Sequence, residues 1–266
     1  MRELHTARLE QKLLLSAAAQ CYHFEFTATT GLPLAYEPGQ FLSFVADDPQ
    51  GKSYTRAYSL ASAPRGPRFE VCANRVPGGF LSNLLCDLAP GDTLHWHGPH
   101  GLFTLRQPLP GPAAASLMIA AGTGIAPLRS FLQSLFPALE RPHPIHLIYE
   151  SPSPEELFYD SDFRHLSATQ PLFHYHPVPG SDQDRAQTLA TLTSLASAPA
   201  PDQQATPQAA GQAAPSRNEA PSAAPAPTQF SRYAYICGLS QLVKDARAHL
   251  LDLGWHRRQI LSERYD

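Results

Sequence analysis

Leu117-Met118-Ile119-Ala120-Ala121 is an unbroken apolar run that ends in Gly122-Thr123-Gly124-Ile125-Ala126-Pro127. A strand without a polar face has to be covered on both sides, as strands are inside a parallel sheet with helices above and below it. After the glycine turn, Leu128-Arg129-Ser130-Phe131-Leu132-Gln133-Ser134-Leu135-Phe136 spaces its apolar residues at helical intervals. Strand-like runs recur at Ile145–Tyr149, Leu172–His176 and Tyr233–Cys237. Strand and helix in alternation predict a doubly wound α/β domain with a parallel sheet over 112–266.

The residues before Gly111-Pro112 have a different texture. His23-Phe24-Glu25-Phe26, Arg68-Phe69-Glu70-Val71 and Thr93-Leu94-His95-Trp96-His97 alternate polar with apolar, and Phe41-Leu42-Ser43-Phe44-Val45 is a short apolar run behind Pro38-Gly39. Short strands separated by Gly/Pro turns predict an antiparallel β-barrel over 1–109. One helical patch, Phe80–Leu88, interrupts the strands and is closed by Pro90-Gly91. The boundary between the two halves is expected near 107–113.

Proline is in excess, with 27 in 266 residues. Seven of them fall in 197–228, among Ala, Gln and Ser, with no aromatic and no aliphatic larger than Ala. Such a stretch cannot bury enough apolar surface to offset an ordering entropy of about 1–2 kcal/mol per residue. It is expected to be a disordered Ala/Pro/Gln-rich insertion within the second domain.

Other classes are set aside on charge and pattern. With 20 basic and 23 acidic residues and a formal charge of −3, there is no electrostatic footprint for nucleic acid or anionic lipid. No apolar run approaches the roughly 18 residues of a spanning helix. Met1-Arg2-Glu3-Leu4-His5 leads into no apolar signal region. A soluble, cytoplasmic protein with no membrane partner is expected. Cys21, Cys72, Cys86 and Cys237 are widely spaced, which suits reduced thiols better than a disulfide framework or a cluster. The pairs His95/His97, His143/His146 and His174/His176 lack a nearby carboxylate or Cys to complete a metal set, so no metal is expected and these histidines are expected to face solvent. No G-x-S-x-G elbow or H-E-x-x-H helix supports a hydrolase.

Four short strings carry chemistry. Arg56-Ala57-Tyr58-Ser59 places Arg56 and Tyr58 on one face of a strand, suited to a ligand with an anionic tail and a flat ring. Gly78-Gly79-Phe80-Leu81-Ser82 enters the helical patch, where free N–H groups and the Ser82 hydroxyl form an anion site. Gly122-Thr123-Gly124 joins a buried strand to a helix, without the G-x-G-x-x-G spacing of the general dinucleotide fingerprint. Cys237-Gly238 ends the last apolar strand, where open α/β sheets meet ligands. Taken singly, each also fits a plainer role: an exposed charge, a capped turn, a tight loop, a packed thiol.

In order, these strings resemble the ferredoxin–NADP reductase family of flavoproteins. The likeness runs through Arg56–Ser59, Val71-Cys72-Ala73-Asn74-Arg75, Gly79–Leu88, Gly98–Phe103, Gly122–Leu132, Tyr235-Ile236-Cys237-Gly238-Leu239 and Glu263-Arg264-Tyr265. The resemblance implies that the barrel binds FAD and the α/β domain binds NADH or NADPH. It implies that Arg56 pairs with the flavin pyrophosphate, Tyr58 lies against the ring system with Ala57 beside it, and Ser59 hydrogen-bonds near its reactive nitrogen. Backbone at Val71, Cys72 and Ala73 would edge the flavin, and Gly79, Phe80, Leu81 and Ser82 would cradle its pyrophosphate. Gly122, Thr123, Gly124, Cys237 and Gly238 would border the nicotinamide. Ser59, Cys237 and Glu263 would be catalytic, Glu263 on a proton route, and Tyr265 would cover the second flavin face.

NADP-specific relatives hold the extra phosphate with a Ser-Arg pair where this chain has Gly180-Ser181. Arg185 follows nearby, and Glu150 would repel a phosphate. The sequence leaves the coenzyme open. The function implied is an FAD-dependent NAD(P)H oxidoreductase that relays electrons to a separate ferredoxin, flavodoxin or oxygenase component. A reductase of free flavin or another small acceptor is the second reading, and a non-enzymatic flavin-binding regulator the third.

Overall fold

The computed structural model describes residues 3–106, 109, 114–138, 143–180, 185–197 and 230–265. Most of the expected boundary at 107–113, and the expected insertion apart from Ser197, lie outside the described residues.

The first half is a six-stranded antiparallel sheet. Its strands are β1 (His5–Ser16), β2 (Cys21–Ala28), β3 (Phe41–Asp47), β4 (Ser53–Ser59), β5 (Arg68–Asn74) and β6 (Thr93–His100), in the order β4-β3-β6-β1-β2-β5. The two outer strands meet where Leu60 bridges to Val71 and the Ala61 N–H donates to the Glu70 carbonyl at 2.8 Å. The sheet therefore curls into the expected barrel, with its seam along β4 and β5. Phe24 and Phe26 of β2 point inward with a period of two and join Phe44, Phe69 and Trp96 in the core. Rings of this size dominate the apolar area withdrawn from water. Helix α1 (Phe80–Asp87) closes over β3, β4 and β5, burying Leu81, Leu85 and Cys86.

The second half is a parallel sheet of β7 (Ala115–Ala121), β8 (Ile145–Ser151), β9 (Phe173–Pro179), β10 (Arg232–Gly238) and β11 (Ile260–Arg264), in the order β11-β10-β7-β8-β9. Leu117 and Ile119 of β7 face α4 (Ala186–Ser197) and α5 (Ser240–Asp252). Met118 and Ala120 face α2 (Ile125–Ala138) and α3 (Asp160–Thr169). Both faces of β7 are covered, as its sequence requires. The chain builds outward from β7 through β8 to β9, then crosses to β10 and β11. The reversal between β7 and β10 is a topological switch point, where such sheets open a crevice.

Two histidine expectations are corrected. His97 and His143 are 6% and 3% exposed, not solvent-facing; His143 Nε2 lies 3.0 Å from Ser116 Oγ. His95 is exposed, and His146, His174 and His176 are half-buried.

The two halves are bound by polar contacts. Arg129 of α2 donates to the Ala61 carbonyl at 2.7 Å and is ion-paired with Glu70 of β5, while its guanidinium lies 4.6 Å over the Tyr159 ring. Tyr159 Oη in turn lies 2.9 Å from Nδ1 of His23 in the barrel.

Candidate active site

On the barrel side, Tyr54, Arg56 and Tyr58 share one face of β4. The Tyr54 ring packs 4.8 Å from Phe80 at the start of α1, which brings Arg56 to the side of that helix's first turn. Arg56 is exposed, its Nη1 donates to the Thr55 carbonyl at 2.8 Å, and among the described residues no carboxylate pairs with it. Tyr58 packs 5.1 Å from Phe44, and burial pushes its hydroxyl up to about 12.

The turn into α1 is tight. Gly78 has φ +73°, and a Cβ on Gly79 would come 2.7 Å from Ser82 Oγ. Ser82 Oγ accepts from the Val76 N–H at 3.2 Å and donates to the Gly79 carbonyl at 3.3 Å. The Ser82 hydroxyl thus makes two hydrogen bonds within the turn itself. The first-turn amides of α1 have no side-chain cap, so the positive end of the helix stays available to an anion. Val71, Cys72 and Ala73 have buried side chains, so only their main chain, on an outer strand of the sheet, can meet a ligand.

On the α/β side, Gly122 has φ +54° and its carbonyl accepts from Tyr149 Oη at 3.0 Å. Gly124 is pressed against β10: a Cβ there would overlap the Cys237 carbonyl and lie 2.7 Å from the Gly238 nitrogen. Only glycine lets the β7 turn approach the end of β10 this closely. Thr123 is left at the crevice wall.

The two sides meet at the end of the chain. β11 pairs with β10 in a register that sets Glu263 opposite Cys237, and the Tyr265 N–H donates to the Gly238 carbonyl at 3.0 Å. The Glu263 carboxyl lies beside the Ser59 hydroxyl of the barrel; burial raises it to about 7, with Ser59 acting the other way. Cys237 is fully buried, and burial, with Glu263 beside it, pushes its thiol well above the usual range. It is a neutral thiol at physiological pH. Tyr265 Oη lies beside Ser59 and Cys237 but has no hydrogen bond of good geometry among the described residues.

A cavity of about 320 Å³ runs from Tyr265, Gly238 and Asn74 past Thr123 to Glu150 and Arg185. Asn74 Oδ1 and Tyr265 Oη are both buried without a partner, which is costly unless a ligand supplies one. With unpaired Arg56, the uncapped α1 turn and the side-chain-free approach at Gly124, these atoms fit a flavin dinucleotide against the barrel and a second dinucleotide in the crevice.

Of the residues singled out in the sequence, Arg56, Ala57, Tyr58, Ser59, Val71–Ala73 and Gly79–Ser82 lie on β4, β5 and the α1 turn. Gly122–Gly124, Cys237, Gly238, Glu263 and Tyr265 lie at the β7 and β10 ends and the chain terminus. Ser59 joins the two groups. The sequence reading gave no role to Ser151 or Phe158, which also line the cavity. Ser151 directly follows the Ile145–Tyr149 run and Glu150, and that position past a parallel strand was the available signal.

A barrel and a doubly wound sheet that share one crevice define a dinucleotide-handling oxidoreductase. Residues 6–105 match the oxidoreductase FAD-binding domain and residues 118–211 the oxidoreductase NAD-binding domain. The chain is 34% identical to ferredoxin–NADP reductase B of Sorangium cellulosum over 248 residues, 91% of this chain and 90% of that one. It is 33% identical over 143 residues to the toluate 1,2-dioxygenase electron transfer component of Pseudomonas putida, covering 53% of this chain but only 40% of that one. A ferredoxin NADP+ reductase from Neisseria gonorrhoeae with bound FAD and NADP superposes with a TM-score of 0.68, at 22% identity, over 99% of both chains. The chain belongs to the ferredoxin–NADP reductase family, and it is an NAD(P)H-dependent flavoprotein reductase.

Proposed function

We propose that the protein passes electrons from NAD(P)H, through FAD, to a separate carrier such as a ferredoxin, a flavodoxin or an oxygenase component. In this reading the FAD domain spans 1–109 and the coenzyme domain 112–266. The observation that carries the reading is the convergence of Ser59, Cys237, Glu263 and Tyr265 where the barrel meets the crevice.

When bound, the flavin accepts hydride from the nicotinamide and releases electrons singly or in pairs. Arg56 and the first-turn amides of α1 hold pyrophosphate oxygens, and the main chain of Val71–Ala73 meets the ring edge. Tyr58 would lie against one ring face. Tyr265 occupies the nicotinamide position until the coenzyme displaces it, which limits ground-state binding and favours turnover. Thr123 and the neutral Cys237 border the nicotinamide without adding a charge that would compete with the one developing there. Glu263 holds a proton at its carboxyl, and Ser59 is the group through which that proton reaches the flavin side.

A Tyr265 already in the site supports a carrier-linked reductase over one that admits free flavin. The four cysteines are free and buried, which suits a reducing compartment such as the cytoplasm. No helix among the described residues is long and apolar enough to cross a membrane.

The test is anaerobic titration of purified, FAD-loaded protein. NADH or NADPH should bleach the flavin band, and added ferredoxin or flavodoxin should restore it. A protein that takes up no FAD, or whose bound FAD neither coenzyme bleaches, would refute the reading.

A further inference from the structure

The crevice has two distinct ends. One, at Thr123, Gly238 and Tyr265, faces the barrel; the other, at Glu150 and Arg185, lies where β8 ends. In the order β11-β10-β7-β8-β9, a dinucleotide with its nicotinamide at β10 and β7 runs its adenosine toward β8 and β9.

At that end Arg185 is the one cation among the described lining residues, and two carboxylates already pair with its guanidinium. Nε bonds Glu150 Oε1 at 2.9 Å and Nη1 bonds Asp245 Oδ2 at 3.3 Å. Thr188 Oγ1 donates to the other Glu150 oxygen at 2.9 Å, and Gln241 Nε2 fixes Asp245 Oδ1 at 2.7 Å. Glu156 adds a further acid to the lining. Acids outnumber the cation, and Glu150 is only 4% exposed.

We propose that this crevice selects NADH over NADPH, because Arg185 is already ion-paired with Glu150 and Asp245 and a ribose 2′-phosphate would have to compete with both carboxylates for it. The proposal rests on the reading of the crevice as the nicotinamide-coenzyme site. A phosphate dianion taking the guanidinium would leave a buried carboxylate without its counter-charge, and breaking a buried pair in this way is strongly unfavourable. A free 2′-hydroxyl has no such conflict: it donates to a carboxylate, and each Glu150 oxygen keeps a lone pair beyond its present bond.

The first measurement is calorimetric binding of adenosine 5′-monophosphate and adenosine 2′,5′-bisphosphate to the FAD-loaded protein, which requires no turnover. The monophosphate should bind at least about tenfold more tightly, and kcat/KM for NADH should exceed that for NADPH by a similar factor. Asp245→Asn, which removes one of the two negative charges paired with Arg185, should shift the kcat/KM ratio toward NADPH. Tighter binding of the bisphosphate, faster bleaching by NADPH, or an unchanged ratio in Asp245→Asn would overturn the preference and leave the reductase reading intact. If neither coenzyme bleaches the flavin, the reductase reading falls and takes this proposal with it.

Discussion

Glu263 and Ser59 lie side by side across the junction of the two halves, a carboxyl from β11 facing a hydroxyl at the end of β4. Glu263 is also the register partner of Cys237, so the proposed proton-holding group and the proposed nicotinamide wall occupy the same level of the sheet.

Burial raises the Glu263 carboxyl to about 7, so it carries its proton below that pH and loses it above. Glu263→Gln should lower turnover with a carrier acceptor by about a hundredfold and flatten the pH profile around neutrality. Plots of kcat against pH for both proteins check this. Because the folded-state value is raised, the native protein should lose stability as pH rises from the ordinary carboxylate range through about 7. The variant should lack that slope in denaturant titrations.

Tyr265 stands beside Ser59 and Cys237 in the crevice. Tyr265→Ser should bind the oxidised coenzyme at least about tenfold more tightly while lowering kcat, because ground-state binding rises without a matching gain in the transition state. Difference spectra on adding NAD+ or NADP+ report the affinity.

Arg56 has no carboxylate partner among the described residues and shares a strand face with Tyr54, whose ring packs on Phe80 at the start of α1. Arg56→Ala should weaken FAD retention by about ten- to a hundredfold, the value of a charge-assisted hydrogen bond of roughly 1.5–3 kcal/mol. Fluorescence of released FAD on dilution measures it, with little change expected in the thermal midpoint of the apoprotein.

Gly124→Ala sets a methyl group into the Cys237 carbonyl and the Gly238 amide, both backbone atoms that cannot step aside. A loss of about 1–3 kcal/mol is expected. Urea unfolding checks it, and flavin bleaching by the coenzyme should slow in the same variant because the crevice wall has moved.

The elements legible in the sequence were those with a complete local pattern. Leu117–Ala121 and Tyr233–Cys237 are apolar throughout and proved to be strands covered on both faces. β1 escaped because two register shifts against β2 break its alternation over twelve residues. β11 escaped because its five residues become a strand only by pairing with β10. His97 and His143 defeated the solvent-facing expectation because their burial depends on packing, which periodicity does not encode. The site was harder still. Ser59 and Glu263 lie about two hundred residues apart, and no local string announces that they touch. Family resemblance could imply their proximity, whereas the use of Ser82 inside its own turn and the capture of Arg185 by two acids required the fold.

Arg129 reaches from α2 to the Ala61 carbonyl and to Glu70 in the barrel, with Tyr159 and His23 behind it. A guanidinium clamped this way sets the angle between the halves before any coenzyme arrives. On the proposed reading, a coenzyme would then have to displace one phenol ring, Tyr265, between walls this clamp already holds together.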